Sequence, residues 1–182
     1  MNNKEIESKF AFKIFKCHLI MLLVAFIFTF FFGGFLHIEK PLNGYIFSGF
    51  IIVGYVFLLY SECLMEARKN FYNANADRDK LDILLGAKSA FKGHIFTFLF
   101  LFILLAFYYA YKWTGLSIWI DNTSIYIYLN LFFRLWLLPF LSFFPNTDVI
   151  LVWLYLLFSF FPIPVCGISY YLGLKECKSI ND

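Results

Sequence analysis

Residues 17–38 read CHLIMLLVAFIFTFFFGGFLHI, a run of 22 residues that contains no Asp, Glu, Lys or Arg. About 20 apolar residues in an α-helix are enough to cross the hydrocarbon core of a bilayer. Further long apolar runs lie at residues 45–65, 94–111 and 149–172. Because these runs are continuous rather than alternating, they predict membrane-spanning helices and exclude a β-barrel.

The composition of the whole chain also indicates a membrane location. Hydrophobic residues make up 62% of the 182 residues, and charged residues make up only 15%. A soluble domain carries about 25% charged residues, so this chain has too few polar side chains to cover a water-facing surface. We therefore predict an all-α, polytopic helical membrane protein, with residues 1–182 forming a single integral membrane domain in the lipid bilayer.

Residues 61–94 form a polar stretch between the apolar runs. They read SECLMEARKNFYNANADRDKLDILLGAKSAFKGH and include eleven charged residues. We expect the second span to continue as a helix over residues 62–71, to break at residues 73–75, and to be followed by a short helix over residues 78–91. Asp77 is placed to cap that short helix, because its carboxylate can accept unpaired backbone N–H groups.

The distribution of lysine and arginine predicts the orientation. Residues 1–16 contain four of them, residues 61–94 contain six, and the tail at residues 174–182 contains two. Lysine and arginine accumulate on the cytoplasmic side of a membrane. The N-terminus, the loop at residues 61–94 and the tail are therefore all predicted to be cytoplasmic in a multi-pass protein of the cell membrane, which requires four spans.

Residues 125–144 are long enough for a further span, but Arg134 lies at their centre. A central arginine costs about 2.5–3.5 kcal/mol on the insertion scale, and each Leu, Ile or Phe returns about 0.3–0.6 kcal/mol, so energy alone leaves both readings open. The charge distribution favours an interfacial or re-entrant segment in which Arg134 reaches water or headgroups. Five spans are the alternative.

Charge inside a membrane marks a functional site by default. Arg134 and Glu62 are the charged residues nearest to the predicted membrane interior, so they are candidate membrane-embedded polar residues. The last span contains Pro162 and Pro164. Two prolines remove backbone donors, so we expect them to kink or locally unwind this helix.

Motifs for chemistry are weak. The start of residues 73–84 has the oxygen spacing of a calcium loop, but Arg78 stands where glycine is needed and Leu84 where a bidentate glutamate is needed. Cys63 and His94 lie at the ends of different spans and could act together as a nucleophilic thiol and its general base. However, no local sequence signature accompanies them, and no third residue is evident that would orient the histidine. The four cysteines form no C-x-x-C pattern. We therefore predict no catalytic residues, no metal and no cofactor.

Nucleic acid is also excluded as a partner. The net charge is only +3, and no basic cluster with interleaved aromatic residues lies in a polar part of the chain. His18 and His37 stand at opposite ends of the first apolar run, so they cannot share a metal, and we expect each of them at a membrane interface.

Two stretches resemble a group of small integral membrane proteins of clostridia-like bacteria. The group has a loop of the form Y-S…R-D…D-K-L-R-G-L-K, which this chain matches at Tyr60, Ser61, Asp82, Gly86 and Lys88. The last span of the group ends V-C-G-I-x-Y-L-L-G-x-K, and residues 165–175 here read VCGISYYLGLK. The loop departs from the group at Lys69-Asn70, where the group has Arg-Asp, and at its Trp, Gly and Phe-Gly-His positions. The group has no established function, so the resemblance implies a bacterial membrane protein and no activity.

These observations leave two main functions open. The first is a non-enzymatic accessory or interaction protein that docks a protein partner on residues 61–94. Asp82, Gly86 and Lys88 are the candidate interaction residues, because they combine charge, a turn-capable glycine and the resemblance. The alternative is a small transporter or the membrane subunit of one, with its pathway lined by the proline-containing last span and the Arg134 segment. A membrane enzyme that uses Cys63 or His94 is a third, weaker hypothesis.

Overall fold

The computed structural model describes residues 3–32, 41–74, 81–114, 119–120, 123–143 and 152–181. The helices are α1 (Asn3–Phe32), α2 (Pro41–Asn73), α3 (Leu85–Gly93), α4 (Ile95–Thr114), α5 (Ile125–Trp136), α6 (Val152–Phe160) and α7 (Pro162–Asn181), with a 3₁₀ helix at Leu138–Phe143. Two two-residue strands, β1 (Trp119–Ile120) and β2 (Thr123–Ser124), pair in antiparallel orientation. The prediction of an all-α fold is confirmed.

Three helical segments are long and apolar enough to cross a membrane: Glu5–Phe31, Tyr45–Asn73 and Val152–Ile180. A fourth candidate is the bent pair of Leu85–Gly93 and Ile95–Ala110, taken as one span. The polytopic membrane class is therefore confirmed. The predicted boundaries of the spans, and the single domain over residues 1–182, stay predictions.

The segment with Arg134 is divided into two short helices. The α-helix Ile125–Trp136 has 12 residues, which is about 18 Å at 1.5 Å per residue. A bilayer core is about 30 Å thick, so this helix alone is too short to cross it. The helix ends before Leu138 because a residue that precedes a proline, here Pro139, disfavours the α conformation. This geometry supports an interfacial or re-entrant segment.

The prolines of the last span act where the sequence predicts. Helix α6 ends at Phe160 and α7 begins at Pro162, with a turn at Phe161 between them. Proline is tolerated in the first turn of a helix, where its missing N–H has no helical partner. Pro162 and Pro164 both lie in the first turn of α7, so the predicted interruption is confirmed at one defined point.

The chain divides into two compact units. The first consists of Met1–Met21, Val53–His94 and Phe160–Asp182, and the second of Leu22–Ile52 and Ile95–Ser159. Helices α1 and α2 contribute residues to both units.

Glycines allow close helix packing in the first unit. A Cβ on Gly86 would lie 2.5 Å from the carbonyl oxygen of Cys166 in α7, and a Cβ on Gly93 would lie 2.6 Å from that of Ala11 in α1. On the α7 side, a Cβ on Gly173 would lie 2.8 Å from Cβ of Ala67 in α2. Small residues permit such backbone approach between membrane helices. These contacts bring α1, α2, α3 and α7 together.

Aromatic rings and a neutral hydrogen bond join α4 and α5 in the second unit. The ring of Phe100 lies 5.4 Å from that of Phe132 and 6.1 Å from that of Trp136, between ring centroids. The indole Nε1 of Trp136 donates a hydrogen bond of 2.9 Å to Oγ1 of Thr97. These contacts fasten α4 to α5.

Candidate functional site

Ion pairs connect α1 to its neighbours in the first unit. Nζ of Lys13 donates to Oε2 of Glu66 at 2.6 Å, which joins α1 to α2. Nζ of Lys92 lies 3.6 Å from Oε1 of Glu7, which joins α3 to α1. Lys69 approaches the other oxygen of Glu66 at 3.8 Å. The carboxylate of Glu66, whose side chain is only 7% exposed, therefore lies between two ammonium groups.

A further ion pair connects α2 to α7. Nη2 of Arg68 lies 3.0 Å and 2.9 Å from the two carboxylate oxygens of Glu176. With the pairs above, it brings together charged residues from four helices at one end of the unit. We call this region the charged end, and it comprises residues 5–16, 62–73, 82–92 and 174–178. It combines the N-terminal segment, the polar loop and the tail, which are the three segments that charge predicts to be on one side of the membrane.

Asp82 and Lys88 are placed at the start of α3. Oδ1 of Asp82 accepts a hydrogen bond of 2.9 Å from the backbone N–H of Leu84, and its Oδ2 accepts one of 2.6 Å from Nζ of Lys88. Asp82 therefore closes the turn that leads into α3 and also forms an ion pair with Lys88. The predicted cap, Asp77, lies outside the described residues. Lys88 is exposed.

Gly86 is buried against α7 and does not reach the surface. A Cβ at this position would meet the carbonyl oxygen of Cys166 at 2.5 Å and Cβ of Tyr170 at 2.6 Å. One residue further, Ala87 lies 3.2 Å from the position that a Cβ of Gly167 would occupy. The two stretches that carry the resemblance, in the loop and in the last span, are therefore packed on each other. Helix packing is a sufficient reason for the small residues in both.

His94 is not hydrogen-bonded to Cys63, as a general base paired with a nucleophilic thiol would be. Nδ1 of His94 lies 3.1 Å from the carbonyl oxygen of Ala90, and its Nε2 lies 3.1 Å from Oη of Tyr55. Both ring nitrogens thus have partners other than Cys63, which is itself buried. The prediction that the protein is not an enzyme stays a prediction.

Tyr55 connects His94 to His18. Its hydroxyl lies 3.2 Å from Nδ1 of His18, and the two imidazole rings are 5.3 Å apart. Since the Nδ1–H of His94 donates to Ala90, its Nε2 accepts from Tyr55, whose oxygen accepts in turn from His18. His18 is only 2% exposed and so is buried within the protein, while the expectation that it lies at a membrane interface stays a prediction. Its partners allow this burial, since buried polar groups need hydrogen bonds. His37 lies outside the described residues.

Arg134 in the second unit is buried as well. Its Nε donates to Oδ1 of Asn130 at 3.3 Å and to Oη of Tyr155 at 3.0 Å, and the hydroxyl of Tyr155 donates to the same amide oxygen. Arg134 is 5% exposed, so the expectation that it reaches water or headgroups is wrong. Asn130 on the preceding turn of α5 and Tyr155 on α6 replace that water with protein acceptors.

Glu62 lines a cleft of about 330 Å³ between α1 and α2. The α1 side of the cleft is formed by Lys13, Lys16, Cys17 and Ile20, and the α2 side by Glu62, Met65, Glu66 and Lys69. Both sets have the spacing i, i+3, i+4, i+7, which places residues on one face of a helix. The nearby basic residues Arg68 and Lys69 pair with Glu176 and Glu66. This cleft was not predicted from the sequence, although the i, i+3, i+4, i+7 spacing of both sets of residues can be seen there.

Among the residues that the structure describes, no group of three or more His, Cys, Asp or Glu is arranged to hold a metal ion. The chain matches no protein-family model, no curated protein and no solved structure. Its function is therefore argued from its own residues.

Proposed function

We propose that the protein is a non-enzymatic accessory protein of the cell membrane that docks a soluble protein partner on its charged end. The observation that carries this proposal is the set of ion pairs between helices, Lys13–Glu66, Glu7–Lys92 and Arg68–Glu176. They hold charged groups from four helices in fixed positions. A surface that is ordered before binding loses less conformational entropy when a partner docks.

The same ion pairs support the proposed orientation. Glu7 belongs to the N-terminal segment, Arg68 and Lys92 to the polar loop, and Glu176 to the tail. Segments that meet outside the apolar spans lie on one side of a membrane, so the chain would cross it an even number of times. The excess of lysine and arginine in these segments assigns that side to the cytoplasm. Four spans with both termini inside are the topology that we propose.

The surface of the charged end offers positive groups on α2 and α3. Lys69, Lys88 and Lys92 have side chains that are 58%, 52% and 44% exposed. Complementary charge mainly accelerates encounter and selects the partner. A partner with an acidic patch fits this surface. In this proposal Asp82 and Lys88 would contact the partner, whereas Gly86 would hold α3 against α7 and keep them in place.

The experiment is chemical cross-linking in cells, followed by purification of the full chain in mild detergent. The test variant combines Lys69→Glu, Lys88→Glu and Lys92→Glu. The control is Lys112→Glu, which changes an exposed lysine of α4 in the second unit. We expect one partner to be recovered with the natural chain and with the control, and to be lost with the triple variant. Equal recovery with all three proteins would contradict docking at the charged end.

A transporter, or the membrane subunit of one, is the second candidate. It is supported by the buried polar group of Arg134, Asn130 and Tyr155 within an apolar region and by the helix break before Pro162. A buried arginine suits an anionic solute. The test is a thermal-shift screen of small organic anions on the purified protein. A solute that raises the melting temperature of the natural chain, but not that of Arg134→Gln, would favour transport over docking.

A further inference from the structure

The cleft between α1 and α2 contains charges of both signs, and they are not equally engaged. Glu66 is held between Lys13 and Lys69 at 2.6 Å and 3.8 Å, so these three form one cluster with a net charge of +1. Among the described residues, Lys16 and Glu62 make no ion pair. The Lys16 ammonium lies over the ring of Phe12, 4.7 Å from the ring centroid. The cleft therefore offers a cationic and an anionic group to a ligand.

The position of the cleft relative to the apolar runs of α1 and α2 indicates the source of its ligand. Lys13 and Lys16 directly precede the charge-free run of residues 17–38, and Met65 ends the apolar run of residues 45–65. The cleft thus straddles the border between apolar and polar residues on both helices. Lysine side chains at such a border extend towards the headgroups. A ligand in this cleft would therefore lie at the level of lipid headgroups.

Apolar side chains accompany these charges. Ile20 is 51% exposed and Met65 is 54% exposed, and both line the cleft. They would contact the glycerol and the first carbons of the acyl chains. The volume of about 330 Å³ is at the small end of the range for ligand pockets, which is about 300–1,000 Å³. Such a volume suits a headgroup rather than a whole lipid.

We propose that this cleft binds the phosphoethanolamine headgroup of a membrane phospholipid. The phosphate would lie at Lys16 and Lys69, and the primary ammonium would donate hydrogen bonds to the carboxylate of Glu62. A phosphate takes charge-assisted hydrogen bonds from ammonium groups, and a carboxylate accepts them from an ammonium. The combination of charges fits a ligand with both signs better than a simple anion, which Glu62 would repel. This site does not depend on the docking of a protein partner.

The primary amine is the part of the ligand that Glu62 selects. A phosphocholine headgroup has the same phosphate, but its quaternary ammonium has no N–H to donate. A phosphoglycerol headgroup has the phosphate without any cation. The three headgroups therefore separate the role of Glu62 from that of Lys16 and Lys69.

The test is native mass spectrometry of the full chain in detergent, with an equimolar mixture of dioleoyl phosphatidylethanolamine, phosphatidylcholine and phosphatidylglycerol. We expect bound phosphatidylethanolamine to exceed each of the other two about 5-fold, the size of one partly exposed ionic contact. Soluble phosphoethanolamine is added in a second arm. Binding of the soluble compound as tight as that of the lipid would contradict the lipid as the source of the headgroup.

Two variants assign the roles, and a third serves as their control. Glu62→Gln should bring phosphatidylethanolamine down to the level of phosphatidylcholine. Lys16→Gln should lower the binding of all three lipids about 5-fold. Lys175→Gln changes an exposed lysine of α7 outside the cleft and should change neither value. Lys16 is exposed, so its variant should keep the melting temperature of the natural chain. Equal binding of the three lipids to the natural chain, or equal effects of Lys16→Gln and Lys175→Gln, would overturn the proposal.

Discussion

Ion pairs between side chains join helices of the first unit, whereas the contacts described between helices of the second unit are aromatic contacts and hydrogen bonds, one of them donated by Arg134. Arg68 and Glu176 bridge α2 and α7, while the rings of Phe140 and Phe158 stack 4.4 Å apart between the 3₁₀ helix and α6. Ion pairs are favourable only where water or headgroups share the cost of desolvation, and aromatic contacts carry no such cost. The difference indicates which part of the molecule has access to the aqueous phase.

In the part of the chain that the structure describes, each unit also contains a buried polar group centred on a tyrosine. In the first unit Tyr55 lies between His18 and His94. In the second, Tyr155 contacts both Arg134 and Asn130. The hydroxyl group both donates and accepts, so it can connect two other polar groups away from water. The first group is composed of residues that can be neutral, and the second contains a guanidinium, which keeps its charge. The charge in the second group is the reason to keep transport as an alternative.

The largest expected loss of stability comes from substituting a closely packed glycine of the first unit. Gly86→Ala places a Cβ 2.5 Å from the backbone oxygen of Cys166, and backbone cannot move aside as a flexible side chain does. We expect the free energy of unfolding to fall by about 3 kcal/mol, the upper end of the usual cost of overpacking. The measurement is thermal unfolding in detergent.

The matched control for this change is Gly49→Ala in the second unit, where a Cβ meets nothing within 4 Å. Alanine favours a helix over glycine by about 1 kcal/mol, so this variant should be unchanged or slightly more stable. Equal destabilisation of Gly86→Ala and Gly49→Ala would show that α3 does not pack closely on α7.

A smaller effect is expected from the hydrogen bonds inside each unit. Tyr55→Phe removes the hydroxyl that both His18 and His94 contact, so it should lower the free energy of unfolding by about 2 kcal/mol. Thr97→Val removes the one acceptor for Trp136 described above and should cost about 1 kcal/mol. Both are measured by thermal unfolding.

Tyr60→Phe is the control for Tyr55→Phe, because Tyr60 is 39% exposed and its hydroxyl can reach solvent. It should leave the melting temperature unchanged. If Tyr55→Phe is as harmless as Tyr60→Phe, the buried chain of His18, Tyr55 and His94 does not stabilise the first unit.

The smallest effect is expected at the ion pairs. Lys13→Met removes the nearer partner of Glu66, but Lys69 remains at 3.8 Å. Since the Lys13 side chain is 43% exposed, we expect a loss below about 1 kcal/mol, with less difference from the natural chain at high salt. Lys175→Met is the matched control. A loss that is the same at all salt concentrations would show that packing, rather than charge, connects α1 to α2 at this point.

The sequence predicted the features that depend on local pattern. Apolar runs predicted the membrane helices, the tandem prolines predicted the interruption before Pro162, and the asparagines after Phe71 predicted the end of α2, which lies at Asn73. The sequence-based prediction was wrong where the environment of a residue depends on a contact with a residue distant in the chain. Arg134 was expected to reach water or headgroups, and it is buried because Tyr155, distant in the chain, accepts one of its hydrogen bonds.

The sequence also predicted only part of the candidate site, because local pattern is visible in a sequence and contacts between distant residues are not. The charge of residues 61–94 and the positions of Asp82 and Lys88 follow from sequence, and they lie at the charged end. Gly86 was marked as a turn-capable residue of a docking surface, but its lack of a side chain serves contact with α7. The cleft is formed by two helical stripes, and nothing in either stripe says that it faces the other.

The central claim is that the N-terminal segment, the polar loop and the tail form one cytoplasmic surface. The most direct measurement is labelling with a membrane-impermeant maleimide, before and after permeabilisation of cells. Single cysteines are introduced by Ser8→Cys, Tyr72→Cys, Ser179→Cys and, for the opposite side, Trp113→Cys, all at exposed positions. The natural cysteines are buried, so the unchanged chain gives the background. We predict that the first three positions react only after permeabilisation and that position 113 reacts in intact cells. Labelling of position 179 in intact cells, with positions 8 and 72 protected, would contradict the account.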